Sequence, residues 1–453
     1  MSADASLAQG ERRDLRRGAL QLLGGSGVRI FARVLLLTFV ARMYGIEDFG
    51  RLGETVAIIE LLATLATFGL SKTLLGKLGE GDGKTDNGTD IANAAMLAGV
   101  LSIAITGILW AAWPIIASDE MAGSQFVLLG IPLIALSEVA TTATRHHRTA
   151  LWDMLVKALV KPWSFLLLSV AAYYGIVQGH WTTANISSEE ALLMAYLGSL
   201  VLTASAAFLA LMKSFGANLL DRSAGPFWKG VFNLAKRSWP IALNDTGLFA
   251  FRRIDVIILA VVAGPTETAI YYMARQIGTV VEKVRHLFEP VLSPIIAQSQ
   301  SLENIGAHVA RLGFFIFAVQ LTIICVFAVF GGTILSWLGT GFAAGLLVVL
   351  IILVGELFDG SFGLCELPMV YRHPVWPPRL VMITVAIEVV LVWFLAQQFG
   401  TLGAAMGFAV SMLILSLMRI LMVRRLYGFK VLNPVQPALL AAVAFLILMS
   451  GAI

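Results

Sequence analysis

The residues with the most chemical potential in this chain are ionisable side chains set inside long apolar runs. Ser26, Arg29 and Arg33 follow i, i+3, i+7 spacing in the first run and share one helix face. At a rise of about 1.5 Å per residue, Arg33 lies roughly 20 Å from the start of its run, in mid-membrane. Arg252 and Arg253 stand side by side at a similar depth in a later run, with Asp255 three residues beyond Arg252. The next run carries Arg275, Glu282, Arg285, His286 and Glu289, ahead of Pro290 and Pro294. A further run places Glu356, Asp359 and Glu366 within roughly 80° of one helix face at about 100° per residue, among Gly355, Gly360 and Gly363. Lys157 and Lys161 sit at i, i+4 in a fifth run.

An ionised side chain at mid-bilayer costs about 2.5–3.5 kcal/mol on insertion scales, so each of these must pair, face water or serve function. An arginine fork can hold phosphate oxygens in bidentate fashion. Buried carboxylates can take up and release protons. Two readings of the acids stand together: they neutralise the arginines, or they couple transport to an ion gradient. Arg252 and Asp255 at i, i+3 also allow a pair within one helix, and Lys161 allows snorkelling to the inner face. Neither alternative supplies a local acid for Arg29, Arg33 or Arg253.

The elements that must position these groups follow from composition. Of 453 residues, 58% are hydrophobic and 13% charged, against about 45–50% and 25% in an ordinary soluble domain. This predicts an all-α, polytopic membrane protein. The net charge of +4 fits basic cytoplasmic loops rather than a nucleic-acid partner. Apolar runs of span length fall near 21–43, 51–72, 91–113, 125–144, 150–174, 191–213, 239–263, 267–297, 308–331, 342–371, 377–398 and 401–423. These make twelve transmembrane helices, with 436–453 a thirteenth candidate, transmembrane or interfacial.

Alternate connections are basic: 145–148, 213–237, 372–379 and 419–430, with 72–90, of mixed charge, the exception among them. The others are acidic or neutral, with Glu47-Asp48, Asp119-Glu120, Glu189-Glu190 and Glu267. The positive-inside rule then puts the N-terminus in the cytoplasm. The expected location is the bacterial inner membrane, with no cleavable signal peptide. Cys325 and Cys365 lie in apolar runs and read as buried filler, with no disulfide or metal site. No loop read as exterior exceeds about 20 residues, which leaves little room for a polymerase or ligase site.

The chain also carries a weak internal repeat. Residues 27–48, GVRIFARVLLLTFVARMYGIED, align with 246–267, TGLFAFRRIDVIILAVVAGPTE, placing Gly45 on Gly264 and Arg33 on Arg252. Together with the long basic connection after the sixth span, this predicts two pseudo-symmetric six-helix lobes. The expected boundaries are a basic N-terminal segment 1–20, an N-terminal lobe 21–213, an inter-lobe loop 214–238, a C-terminal lobe 239–424 and a C-terminal segment 425–453.

The stretch FVARMYGIEDFGRLGETVAIIELLATLATFGLSKTLL (39–75) resembles the opening of polysaccharide exporters and O-antigen flippases. It supplies Ala41, Arg42, Gly45, Phe49 and Gly50 of a turn joining the first two spans, and Gly69, Leu70 and Ser71 of a second turn. That family belongs to the multidrug, oligosaccharidyl-lipid and polysaccharide exporter superfamily. The resemblance implies a V-shaped pair of six-helix bundles working by alternating access. It also implies a flippase that moves undecaprenyl-pyrophosphate-linked oligosaccharide from the cytoplasmic to the periplasmic leaflet for O-antigen or exopolysaccharide synthesis. Arg29, Arg33, Arg252, Arg253 and Arg275 match the family's basic cavity by position, and Lys161 joins them as a candidate substrate-binding cation. Glu356, Asp359, Glu366 and Asp255 are the candidate ion-coupling acids, a departure from a purely anion-binding cavity.

The chain is thus expected to be a transporter and no enzyme, without a metal or cofactor, driven by a proton or sodium gradient. Its expected partners are membrane lipid, the lipid-linked oligosaccharide, and a polysaccharide polymerase or glycosyltransferases. Three rivals stand beside this reading. A cation-coupled multidrug exporter would favour the acids. A membrane-embedded transferase acting on lipid-linked sugars would need a catalytic cluster, for which only His146-His147 offers a histidine pair. The third is an assembly scaffold.

Overall fold

The computed structural model describes residues 27–80, 87–116, 119–147, 151–179, 186–216, 227–298, 302–428 and Val431. The basic segment 1–20 and the candidate helix at 436–453 lie outside them. The described chain is almost wholly helical, without a strand. Its helices are α1 (27–43), α2 (Ile46–Thr67), α3 (Leu70–Glu80), α4 (Asn87–Ile116), α5 (Gly130–Thr144), α6 (Leu151–Val177) and α7 (Ser188–Phe215). There follow α8 (Phe227–Phe251), α9 (Ile254–Ala263), α10 (Pro265–Gln298), α11 (Leu302–Leu338), α12 (Leu346–Phe362), α13 (Glu366–Arg372) and α14 (Trp376–Tyr427). Among the described residues, eight stretches are long and apolar enough to cross a membrane. Large apolar side chains such as Val329 and Phe330 of α11 stay exposed, as a lipid-facing surface requires. Cys365 is buried, whereas Cys325 lies on the exposed face of α11 rather than in a packed interior.

Local chemistry explains several of the helix ends. Ser187 caps α7 by accepting from the Glu190 amide, and Glu190 accepts in return from the Ser187 amide, both at 3.1 Å. The two turns aligned by the repeat share a backbone conformation: Gly45 after α1 has φ +96° and Gly264 after α9 has φ +81°. α14 joins two predicted spans as one element with a non-helical residue, Gly400, between them. In α6, π-turns occupy Leu155–Val160 and Tyr173–Val177. Pro162 has no N–H and crowds the carbonyl four residues earlier, so the turn before it widens.

Two compact units are formed. The first comprises residues up to Tyr44 together with Ile58–Thr246; the second comprises Gly45–Ala57 and Gly247–Ile453. The turn motif explains why the start of α2 belongs to the second unit. Phe49 is fully buried there, with its ring 5.6 Å from those of Tyr272 and Phe342. Gly50 lets the Pro265 carbonyl approach so closely that a Cβ would overlap its oxygen. In the first unit, Tyr44 donates to the Ser169 carbonyl at 2.7 Å and Lys72 pairs with Asp245 at 2.6 Å.

Gly50→Ala should therefore lower stability by about 2 kcal/mol or more through forced separation of α2 from Pro265. Gly76→Ala, in α3 with open space around it, should be neutral or stabilising by about 0.5–1 kcal/mol. Thermal unfolding of the purified protein in mild detergent measures both, and equal melting of the two variants would contradict this packing.

Candidate functional site

The strongest concentration of charge lies in the second unit. It is assembled by α9, α10, α12, α13 and α14 around Asp359, which is 3% exposed. Arg419 donates to Asp359 at 2.6 Å, and the Arg252 and Arg285 guanidiniums lie 3.4 and 3.5 Å away. Arg419 also binds Glu366 at 2.5 Å. Arg252 meets Glu282 at 2.8 Å and approaches Glu356 at 3.7 Å. Arg275, 4% exposed, lies 3.0 Å from Asp255 and 3.1 Å from Glu356, with its guanidinium carbon 3.8 Å from the Phe408 ring centroid. Asp255 is held further by the Tyr271 hydroxyl at 2.6 Å and by the Val256 amide at 2.8 Å.

The backbone takes part. The helix expected over 239–263 breaks at Arg252–Arg253, between α8 and α9. The last turn of α8 tightens, with amides of Arg252 and Arg253 bonding three residues back at 3.1 and 2.9 Å. The freed Arg252 carbonyl accepts from Arg275 at 3.2 Å. Asp255 pairs with Arg275 instead of forming the intrahelical pair with Arg252 that the spacing allows. Gly360 and Gly363 serve close approach, as their placement suggests, but their neighbours are protein side chains. A Cβ on Gly360 would overlap Gln320, and one on Gly363 would overlap the Arg285 guanidinium.

Of the predicted residues, Arg252, Arg275, Asp255, Glu356, Asp359 and Glu366 thus come together. The guanidinium carbon of Arg253 lies 5.7 Å from the Phe249 ring centroid. Sequence reasoning passed over Tyr271 and Phe408 and placed Arg419 among loop cations. Arg419 in fact sits two turns before the end of α14, flanked by apolar residues on both sides, and that flanking run was the available signal. Glu388 is fully buried, and neither of its carboxylate oxygens has a hydrogen-bond partner among the described residues.

The first unit is arranged differently. Lys161, at the end of the π-turn in α6, pairs with Glu60 of α2 at 3.2 Å. Lys157 pairs with Glu138 at 2.8 Å and Asp153 at 3.0 Å. Arg145 bonds Asp153 at 2.8 Å. Arg29 and Arg33, half-buried and one helical turn apart on α1, make no hydrogen bond or ion pair with a described residue. Their faces are polar sites available to an anion.

A multi-pass helical membrane protein with two charge-bearing units has known structural counterparts. The lipid II flippase MurJ in an inward closed conformation superposes with a TM-score of 0.69 at 13% identity, over 95% of this chain and 98% of that one. An inward-facing multidrug-resistance MATE-family transporter of the MOP superfamily gives 0.67 at 13%, over 88% and 94%. A MOP-superfamily transporter from Pyrococcus furiosus Vc1, described as having a binding pocket of reverse polarity, gives 0.63 at 14%, over 92% and 95%. The fold is therefore that of MOP-superfamily transporters. Within it, the chain belongs to the polysaccharide biosynthesis protein family, whose model matches residues 15–300. No curated protein matches the sequence.

Removing one member of a buried ion pair costs about 3–5 kcal/mol, because the other charge is left uncompensated. Arg275→Leu should therefore destabilise the protein by about that amount, and Arg275→Leu combined with Glu356→Leu should recover part of the loss. Denaturation in mild detergent checks this; strictly additive losses would contradict the pairing.

Proposed function

We propose that this protein is a flippase for undecaprenyl-pyrophosphate-linked oligosaccharide. On this reading it carries the lipid from the cytoplasmic to the periplasmic leaflet of the bacterial inner membrane by alternating access between two six-helix lobes. Twelve transmembrane helices and a cytoplasmic N-terminus complete the proposed topology. The observation that carries the reading is the contrast between α1 and the second unit. The Arg252, Arg275, Arg285 and Arg419 guanidiniums are all held by carboxylates, whereas neither Arg29 nor Arg33 forms an ion pair with a described residue, Asp153 acting on Arg29 only from longer range. A pyrophosphate offers the partner they lack. Family membership supports the same substrate class.

The second unit supports a coupling role. Its cluster sets the carboxyl groups of Asp255, Glu282, Glu356, Asp359, Glu366 and nearby Glu388 against four guanidiniums. A surplus of buried carboxyl groups suits uptake and release of a proton or sodium ion. The same surplus favours, as a second reading, a cation-coupled multidrug exporter. A polysaccharide polymerase and glycosyltransferases are the proposed partners; no cofactor is required.

Replacing both Arg29 and Arg33 with alanine should abolish surface polysaccharide and cause the lipid-linked intermediate to accumulate. Loss of one charged hydrogen bond is worth about 1.5–3 kcal/mol, so roughly tenfold or more in transport is expected for each arginine. Immunoblotting of polysaccharide and extraction of lipid intermediates from cells with the variant in the membrane provide the measurement. Normal polymer without accumulation would sink the assignment. Altered drug susceptibility with normal polymer would favour the exporter.

A further inference from the structure

Most of α8, up to Thr246, belongs to the first unit, and its outer surface serves none of the roles above. Its buried residues, Val231, Leu234, Ser238 and Ala242, recur at i, i+3, i+7 and i+11 and define one face. That face packs on the first unit at both ends. Gly230 lies against Asn93 of α4, and Ala242 lies against Gly69, whose Cβ would come within 2.6 Å of the Ala242 amide. Asp245 is tied to Lys72 of α3 at 2.6 Å. The helix is thereby fixed in rotation, and the side it turns away from the protein is set.

On that side Trp228, Phe232, Trp239 and Leu243 are 64%, 72%, 52% and 52% exposed. At about 100° per residue these four fall within roughly 60° of one another, forming a continuous apolar stripe over four turns. Lys229 and Lys236 lie alongside and are exposed. The sole carboxylate of α8 is Asp245, which Lys72 occupies. The surface thus combines tryptophan and phenylalanine, suited to the depth of lipid headgroups and upper acyl chains, with exposed lysines. An anionic headgroup complements Lys229 and Lys236 better than a zwitterionic one, which brings its own cation.

We propose that this face of α8 is a binding site for an anionic phospholipid. The phosphate-bearing headgroup sits on Lys229 and Lys236, and an acyl chain lies along Phe232, Trp239 and Leu243. The site is independent of the flippase reading, since it shares no residue with α1 or the ion-pair cluster.

The test uses the full-length protein reconstituted in phosphatidylcholine vesicles, with spin-labelled phosphatidylglycerol or spin-labelled phosphatidylcholine as probe. The wild type should hold phosphatidylglycerol in preference, and the preference should shrink as salt rises. Lys229→Gln with Lys236→Gln should weaken it by roughly fivefold for each lysine removed. Phe232→Ser with Trp239→Ser should weaken retention of both probes. Inorganic phosphate at millimolar concentration should leave phosphatidylglycerol retention unchanged. Three results would overturn the proposal: a wild type without lipid preference, a preference unchanged in the lysine variant, or a preference lost only on replacing Arg424 and Arg425. The salt titration on the wild type keeps the test decisive if a variant fails to assemble.

Discussion

A charge away from water must find compensation, and that constraint organises this protein. The attraction between two opposite charges offsets their desolvation only when the geometry is good and the remaining polar atoms are satisfied. The second unit meets the requirement by sharing. Asp359 is approached by three arginines, one from the break between α8 and α9, one from α10 and one from α14, and Arg275 divides its donors among two carboxylates and a backbone carbonyl. Even the helix break at Arg252–Arg253 belongs to this network, because the carbonyl it releases is taken by Arg275. Losing one member therefore strands several others.

The two units answer the constraint in different ways. In the first, Lys157 and Lys161 each find an acid on a neighbouring helix. Arg29 and Arg33 are left over. On the proposed reading the remaining partner comes with the substrate, so binding a pyrophosphate completes the charge balance that the protein leaves open. The surplus carboxyl groups of the second unit, Glu388 above all, leave the opposite imbalance, which a proton or sodium ion would complete.

Much of the fold was legible because apolar runs and glycine turns are local signals. The shared positive φ at Gly45 and Gly264 is what the weak repeat between residues 27–48 and 246–267 implied. The break at Arg252–Arg253 was not legible. It has neither glycine nor proline, and its stabilisation comes from Arg275, more than twenty residues away. The role of Arg419 was hidden for a related reason. A basic residue late in an apolar run reads as a loop cation, and only packing of α14 on α12 and α13 shows two carboxylates waiting for it. Charge type and depth were readable from sequence, while the choice of partners depended on tertiary packing. Gly360 and Gly363 show the same limit: their small size announced a close neighbour but could not say that it would be Gln320 and Arg285.

The central claim is that α1, and not the ion-pair cluster, supplies the cations for the anionic substrate. Its most direct test is the affinity of the purified protein in lipid nanodiscs for a polyprenyl-pyrophosphate oligosaccharide. The account predicts a loss of about 100-fold or more for Arg29→Ala with Arg33→Ala, from two charged hydrogen bonds at about 1.5–3 kcal/mol each. It predicts little change in the affinity of folded protein for Arg275→Leu with Glu356→Leu, since on this account neither residue touches the substrate. Retained affinity in the first variant and lost affinity in the second would contradict it.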